Sequence, residues 1–241
     1  MSGESGRARR RPAVADSGVL VGYPVSRTCA GPLVLGPGSR LRSGTVLYDG
    51  TTIGSGLQTG HGVIVREDCV IGDDVSIWSN SVVDRGCRIG DRVKIHCNCY
   101  LAQYTELEHD VFLAPGVTIA NDLYPGNERS AQLMAGPRIG AGAQVGVNVT
   151  ILPFVRIGAG ALIGAGSVVT RDIPAAVVAF GNPAVVRRPV AELPAIAARV
   201  IADGSSASRY RLAGRYESAD RHGLADRYGP ADRPPGEGTL P

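Results

Sequence analysis

The sequence predicts an all-β fold, a parallel solenoid wound from six-residue repeats. Three observations carry this. Aliphatic residues recur at every sixth position without a slip, from Leu35 through Leu41, Leu47 and Ile53 to Ile119, with Thr59 the one polar exception. Four residues after most of these stands a small or β-branched residue, such as Thr45, Val63, Cys69, Ser81 or Val117. Three residues after each stands mostly Gly, Asn or Asp, as at Gly38, Gly56, Asp74, Asn98 and Gly116. A period of six fits neither a helix nor a lone alternating strand. It fits short strands joined by tight corners. The aliphatic residue points inward, the small one fills the space beside it, and the third takes a left-handed corner. Three hexads make one triangular turn, and turns stack about 4.8 Å apart.

Composition agrees. A chain of 241 residues is one domain by default. With 33 glycines and only 5% aromatic residues, the core must come from many small aliphatics, as in a solenoid. A net charge of +3 is too slight to argue for nucleic acid. No apolar run approaches the roughly 18 residues that span a bilayer, and no apolar signal segment opens the chain. Five cysteines, an odd number without a secretory signal, predict a reduced, cytoplasmic setting. Cys69 and Cys87 are eighteen apart and should stack as core fillers.

In chain order, residues 1–17 hold Arg7, Arg9, Arg10 and Arg11 among small residues and are expected to form a disordered leader. Residues 18–32 would cap the open end of a β-helix domain spanning 18–190. The period breaks at 121–138, a polar stretch with Pro125, Gly126, Gly136 and Pro137. It resumes at Ile139, twenty residues after Ile119, so this segment leaves the solenoid as a loop. Loops this long are usually functional or disordered. The repeat then runs from Ile139 to Val169, now rich in Gly and Ala. Residues 175–188 should form a last strand and an exit turn. Residues 191–203 have near-helical apolar spacing and predict a short capping helix. Residues 204–241 repeat Ala-Asp-Arg with no inward aliphatic, as expected of a disordered tail.

Residues eighteen apart share a corner. One column is therefore Gly60, Trp78, His96 and Ala114, and the next is His61, Ser79, Cys97 and Pro115. His61 lies two turns from the layer of His96, about 10 Å away. His96 stands where the repeat elsewhere puts a small or acidic residue. It is either an exposed surface histidine or a general base that titrates near neutral pH. Asn98 has a corner role or a catalytic one. His61 is a surface corner or a substrate contact. Trp78 stacks on a substrate ring or covers the corner. In the loop, Asn121, Asp122 and Tyr124 are candidate substrate contacts.

The hexads, the protruding loop and Gly181-Asn182-Pro183-Ala184 before Arg187-Arg188 resemble the left-handed β-helix acyltransferases over about residues 18–190. Within that family, Ile95-His96-Cys97-Asn98-Cys99-Tyr100, Asp110-Val111-Phe112-Leu113-Ala114-Pro115-Gly116 and Thr118-Ile119-Ala120-Asn121-Asp122 are most similar to bacterial N-acetyltransferases of nucleotide-linked amino sugars. The resemblance implies left-handed coiling, where the general crossover rule would give right-handed. It also implies a homotrimer with sites between subunits, acetyl-CoA as donor and no metal. A narrow pantetheine arm would lie where side chains are tiny, at Ala114, Gly140, Gly146, Gly158 and Gly164, with Arg171, Arg187 and Arg188 for the CoA phosphates. Corner geometry alone is the alternative for these glycines. His96 would take a proton from the acceptor amine as it attacks the thioester. Backbone amides near 114–116 would stabilise the oxyanion. Transfer to a hydroxyl is the second reading, and a non-catalytic scaffold a third. Zinc-dependent hydration would need three converging histidines, and His61, His96 and His109 lack that pairing.

Overall fold

The computed structural model describes residues 12–193, which wind into a left-handed β-helix of about eight turns. Each turn lays a short strand on each of three faces. Face I has ten strands, face II eight and face III seven. The pairing is parallel at the eighteen-residue register, as in Ser76 to Lys94 and Ile77 to Ile95. The sixth-position aliphatics are the core: Leu47, Val65, Ile77, Ile95 and Leu113 are fully buried. The small residues beside them, among them Val63, Cys69, Cys87 and Val117, are buried too. Asp68, Asp74, Asn80 and Asn98 take left-handed corners at φ 60, 56, 59 and 58. Thr59 is tolerated inside because its hydroxyl meets that of Thr45 at 2.9 Å and accepts from the Arg42 amide at 3.0 Å.

The ends differ from expectation. Val14–Ala15 is a strand that pairs with Arg40–Leu41, so the expected disordered leader is structured in part. A β-edge leaves a row of unpaired amides and carbonyls, and here Val14 donates to Ser39 and Asp16 to Leu41. Residues 1–11 lie outside the described residues. Leu20–Tyr23 adds a rung to face II rather than only capping it, and 26 residues separate Leu20 from its partner Val46. This connection, eight residues longer than the period, carries a strap, 24–33, on the corner between faces II and III. At the other end Val177–Phe180 and Val185–Pro189 close face I as an antiparallel hairpin. A single 3-10 turn, Val190–Glu192, follows. The rest of the expected capping helix and the tail 204–241 lie outside the described residues.

Face II is uncharged along its outer row: Val46, Ile64, Val82, Tyr100, Thr118, Thr150 and Val168. Faces I and III carry Arg40, Lys94, Arg88, Glu106, Arg138 and Arg156 in the same positions. The loop is a fourteen-residue insertion, since Glu106 pairs with Arg138, thirty-two residues on instead of eighteen. Ala135 closes it by donating to the Asn121 carbonyl at 3.0 Å. Gly136 re-enters the stack so tightly that a Cβ would lie 2.4 Å from the Thr105 nitrogen. Among the described residues no helix is long and apolar enough to cross a membrane.

Candidate functional site

The corner between faces I and II carries the column Gly60, Trp78, His96, Ala114, Gly146 and Gly164, each joined to the next turn through its backbone amide. His96 is half-buried. Its ring lies 5.0 Å from that of Phe112 and 6.5 Å from that of Trp78, centroid to centroid. Its amide donates to Leu113 at 2.9 Å, and its carbonyl accepts from the buried Ser81 hydroxyl at 2.7 Å. The backbone that carries the imidazole is thus held from both sides. The sequence analysis did not join Phe112 or Ser81 to His96. The available signal was that Phe112, one of three phenylalanines, stands eighteen residues after Lys94 and so beside His96.

His61 is exposed on the same corner, with Nδ1 2.9 Å from the Ser43 hydroxyl. Asn98 is exposed and left-handed at φ 58, a geometry that its corner requires. His109 is on another corner, 2.9 Å from Asp110. The Arg92 guanidinium, against some opposing burial and helped by His109, holds the Asp110 carboxyl down at about 2. Burial pushes the Cys99 thiol up to about 11. A contact with Cys69 and then burial push Cys87 well up. These thiols behave as core fillers. Among the described residues no three His, Cys, Asp or Glu side chains group so as to hold a metal ion.

Two expectations are corrected here. The Ala114 and Gly116 amides already donate to Val145 and Cys97, at 2.9 and 3.0 Å, and Pro115 has no N–H. They cannot serve an oxyanion. In the neighbouring column of this corner, the amides of Ser79, Cys97, Val147 and Ala165 donate to no acceptor among the described residues. The glycines also do not open a groove. A Cβ at Gly140, Gly146 or Gly158 would fall 2.6, 2.6 or 2.3 Å from the backbone of the next turn, and at Gly164 2.7 Å from Phe180. Their missing side chains make room for the stack itself. Gly140 and Gly158 lie moreover on the corner between faces III and I, so only Gly146 and Gly164 share the His96 corner. Arg187 lies above that column, its guanidinium 4.8 Å from the Phe180 ring. Arg188 is exposed on the closing hairpin, and Arg171 is exposed on the corner between faces II and III.

The loop leaves from that last corner, so within one chain Asn121, Asp122 and Tyr124 do not share a corner with His96. Asp122 accepts from the Tyr124 amide at 2.8 Å, and Ser130 donates to the Tyr124 carbonyl at 2.9 Å. Tyr124 is 69% exposed. With Leu123, Arg129, Leu133 and Phe154 these residues line a recess of about 320 Å³. Lower on the same corner the strap crosses a fully buried Glu67. Arg66 grips this carboxylate at 2.8 and 3.2 Å, and Arg27 of the strap reaches it at 3.2 Å.

The bacterial transferase hexapeptide repeat matches residues 50–85 and 136–171, and the hexapeptide repeat of succinyl-transferase matches 70–103. A galactoside O-acetyltransferase of Lactococcus lactis is 42% identical over 84 residues, 33% of this chain and 41% of that protein. The chain thus spans about two fifths of the length of this curated relative. The UDP-N-acetylglucosamine acyltransferase from Campylobacter jejuni shares the fold at a TM-score of 0.60 and 21% identity, over 88% of this chain and 84% of that one. The chain thus carries bacterial transferase hexapeptide repeats on both sides of the loop, wound into the left-handed triangular coil that it shares with the Campylobacter jejuni protein.

Proposed function

We propose that the chain transfers an acetyl group from acetyl-CoA to the amine of a sugar, with nucleotide-linked amino sugars as the acceptor class. The observation that carries this is His96, an imidazole held between Phe112 and Trp78 at the corner between faces I and II. The acceptor nitrogen attacks the thioester carbonyl carbon and His96 takes its proton. The C–S bond then breaks, and the proton passes to the departing CoA sulfur. The Cys97 amide faces the developing oxyanion. The pantetheine arm follows the same corner past Gly146 and Gly164. The free amides of Val147 and Ala165 suit its two carbonyls, and Arg187 suits its phosphates. Trp78, His61 and Asn98 flank the acceptor.

The loop residues would join this site from another copy of the chain, since in one chain they occupy a different corner. The uncharged outer row of face II is the surface suited to such a homotrimer. Free thiols and an acetyl-CoA donor fit a cytoplasmic enzyme. Transfer to a hydroxyl is the second reading, and the likeness to a galactoside O-acetyltransferase favours it.

The test is thiol release from acetyl-CoA with amino-sugar and hydroxyl acceptors, for the parent and for His96→Ala. The variant should lose about 10²-fold or more in kcat. Its melting should fall only slightly, because the lost ring contacts are worth about 0.5–1.5 kcal/mol. No acceptor-dependent thiol release by the parent would refute the function. Near-parent turnover by the variant would remove His96 from the mechanism.

A further inference from the structure

Bulky side chains rarely tolerate a left-handed corner. Among the described residues the positive-φ positions are filled by Gly, Asn, Asp, Arg92 and Ala176, and by two aromatics, Tyr104 and Phe154, both at φ 64. Both aromatics stand on the corner between faces II and III, one turn below and one turn above Gly136, where the loop re-enters. They bracket a floor of Ala135-Gly136-Pro137 that is poor in side chains. Together with Glu106, Arg138 and Arg156 they line a recess of about 330 Å³. Neither ring is spent on the core, since Tyr104 is 37% and Phe154 52% exposed. Arg85 lies 5.5 Å from the Tyr104 ring and hydrogen-bonds its hydroxyl, fixing that wall. Arg138 is committed to Glu106 and Glu108, each at 3.5 Å. Arg156 makes no ion pair among the described residues.

Two aromatic walls about 10 Å apart, a thin floor and a guanidinium at the mouth suit a flat ring joined to an anion. We propose that this recess binds the nucleoside diphosphate part of the acceptor, with the base beside Tyr104 and Phe154 and the phosphates at Arg156. The Glu106 carboxylate then accepts from a sugar hydroxyl or a base amino group. The proposal rests on the nucleotide-linked acceptor read above; like the loop residues, this recess would meet the His96 corner of another copy of the chain.

The experiment is calorimetric titration of the full chain with UDP, dTDP, GDP and ADP, and separately with CoA. At least one nucleoside diphosphate should bind. Phe154→Gly and Arg156→Gln should each weaken it by about tenfold or more, with CoA affinity unchanged. Phe154→Gly should melt at or above the parent, because glycine accepts the left-handed backbone. That separates a binding role from a structural one. The proposal fails if no nucleoside diphosphate saturates at millimolar concentration, or if both variants bind as the parent does. It fails also if only CoA binding drops, which would make the recess a donor site. Turnover on simple amino sugars without nucleotide binding would sink this site and leave the acyltransferase standing. Nucleotide binding without turnover on any acceptor would do the reverse.

Discussion

Replacing Glu67 by Gln removes a buried charge that ties the N-terminal strap to the solenoid. The side chain is isosteric, so packing is kept and only the electrostatics change. Glu67 is fully buried, with Arg66 at 2.8 and 3.2 Å and Arg27 at 3.2 Å. Breaking a buried pair costs about 3–5 kcal/mol. The Arg66 and Arg27 side chains are 33% and 50% exposed and regain water when released, so we expect about 2–3 kcal/mol. For a domain of this size that lowers Tm by about 4–12 °C. The strap should loosen as well, so trypsin should cut after Arg27 faster than in the parent. The pH dependence has a definite sign. Burial pushes the Glu67 carboxyl up, but the Arg66 hydrogen bonds, its own backbone amide and the charges of Arg66 and Arg27 outweigh that and hold it below 4.5. Its stabilisation is therefore present above that value and is lost as pH falls through the lowered one. The gap between parent and variant should narrow in that acid window. A Tm within about 1 °C of the parent at pH 7, with unchanged cleavage at Arg27, would refute this account.

Other outcomes follow from other features. Val82→Lys puts a charge in the middle of face II, so light scattering should show the proposed trimer shifted toward monomer; an unchanged mass would mean that face II is not the interface. Starting the chain at Gly18 removes the Val14–Ala15 rung and the Asp16–Arg42 pair at 3.7 Å. Thermal melts should fall by a few degrees, and equal melting would show that rung to be dispensable. Gly136→Ala drives a Cβ into the Thr105 backbone, which cannot yield as a side-chain tip can. Hydrogen exchange of the 121–138 amides should rise well above that of the parent, and an unaltered exchange pattern would show that the re-entry adjusts.

What the sequence made legible is what repeats. The sixth-position aliphatics name the core from Leu41 to Ile157 almost residue by residue, and the Gly/Asn/Asp positions name the corners. Counting by eighteen put His96, Trp78 and Ala114 on one edge. Features between unlike turns were hidden. The amides of Ala114 and Gly116 look available in the repeat but are used by the stack. Gly140 and Gly158 look like an open groove, yet their space is filled by the next turn. Glu67 looks like an ordinary surface acid, because nothing periodic announces that the strap crosses over it. Tyr104 and Phe154 occupy positions where the repeat expects Gly, and they gain meaning only once the insertion has brought them to either side of Gly136.

The loop's two ends meet through one hydrogen bond, Ala135 to Asn121, and fourteen residues enter and leave without disturbing the register on either side. Its length and composition are therefore nearly decoupled from the coil. Such a segment is an exchangeable cassette. A lineage, or an engineer, can graft a different span between Asn121 and Gly136, while the turns below and above keep their hydrogen-bond ladder and their core.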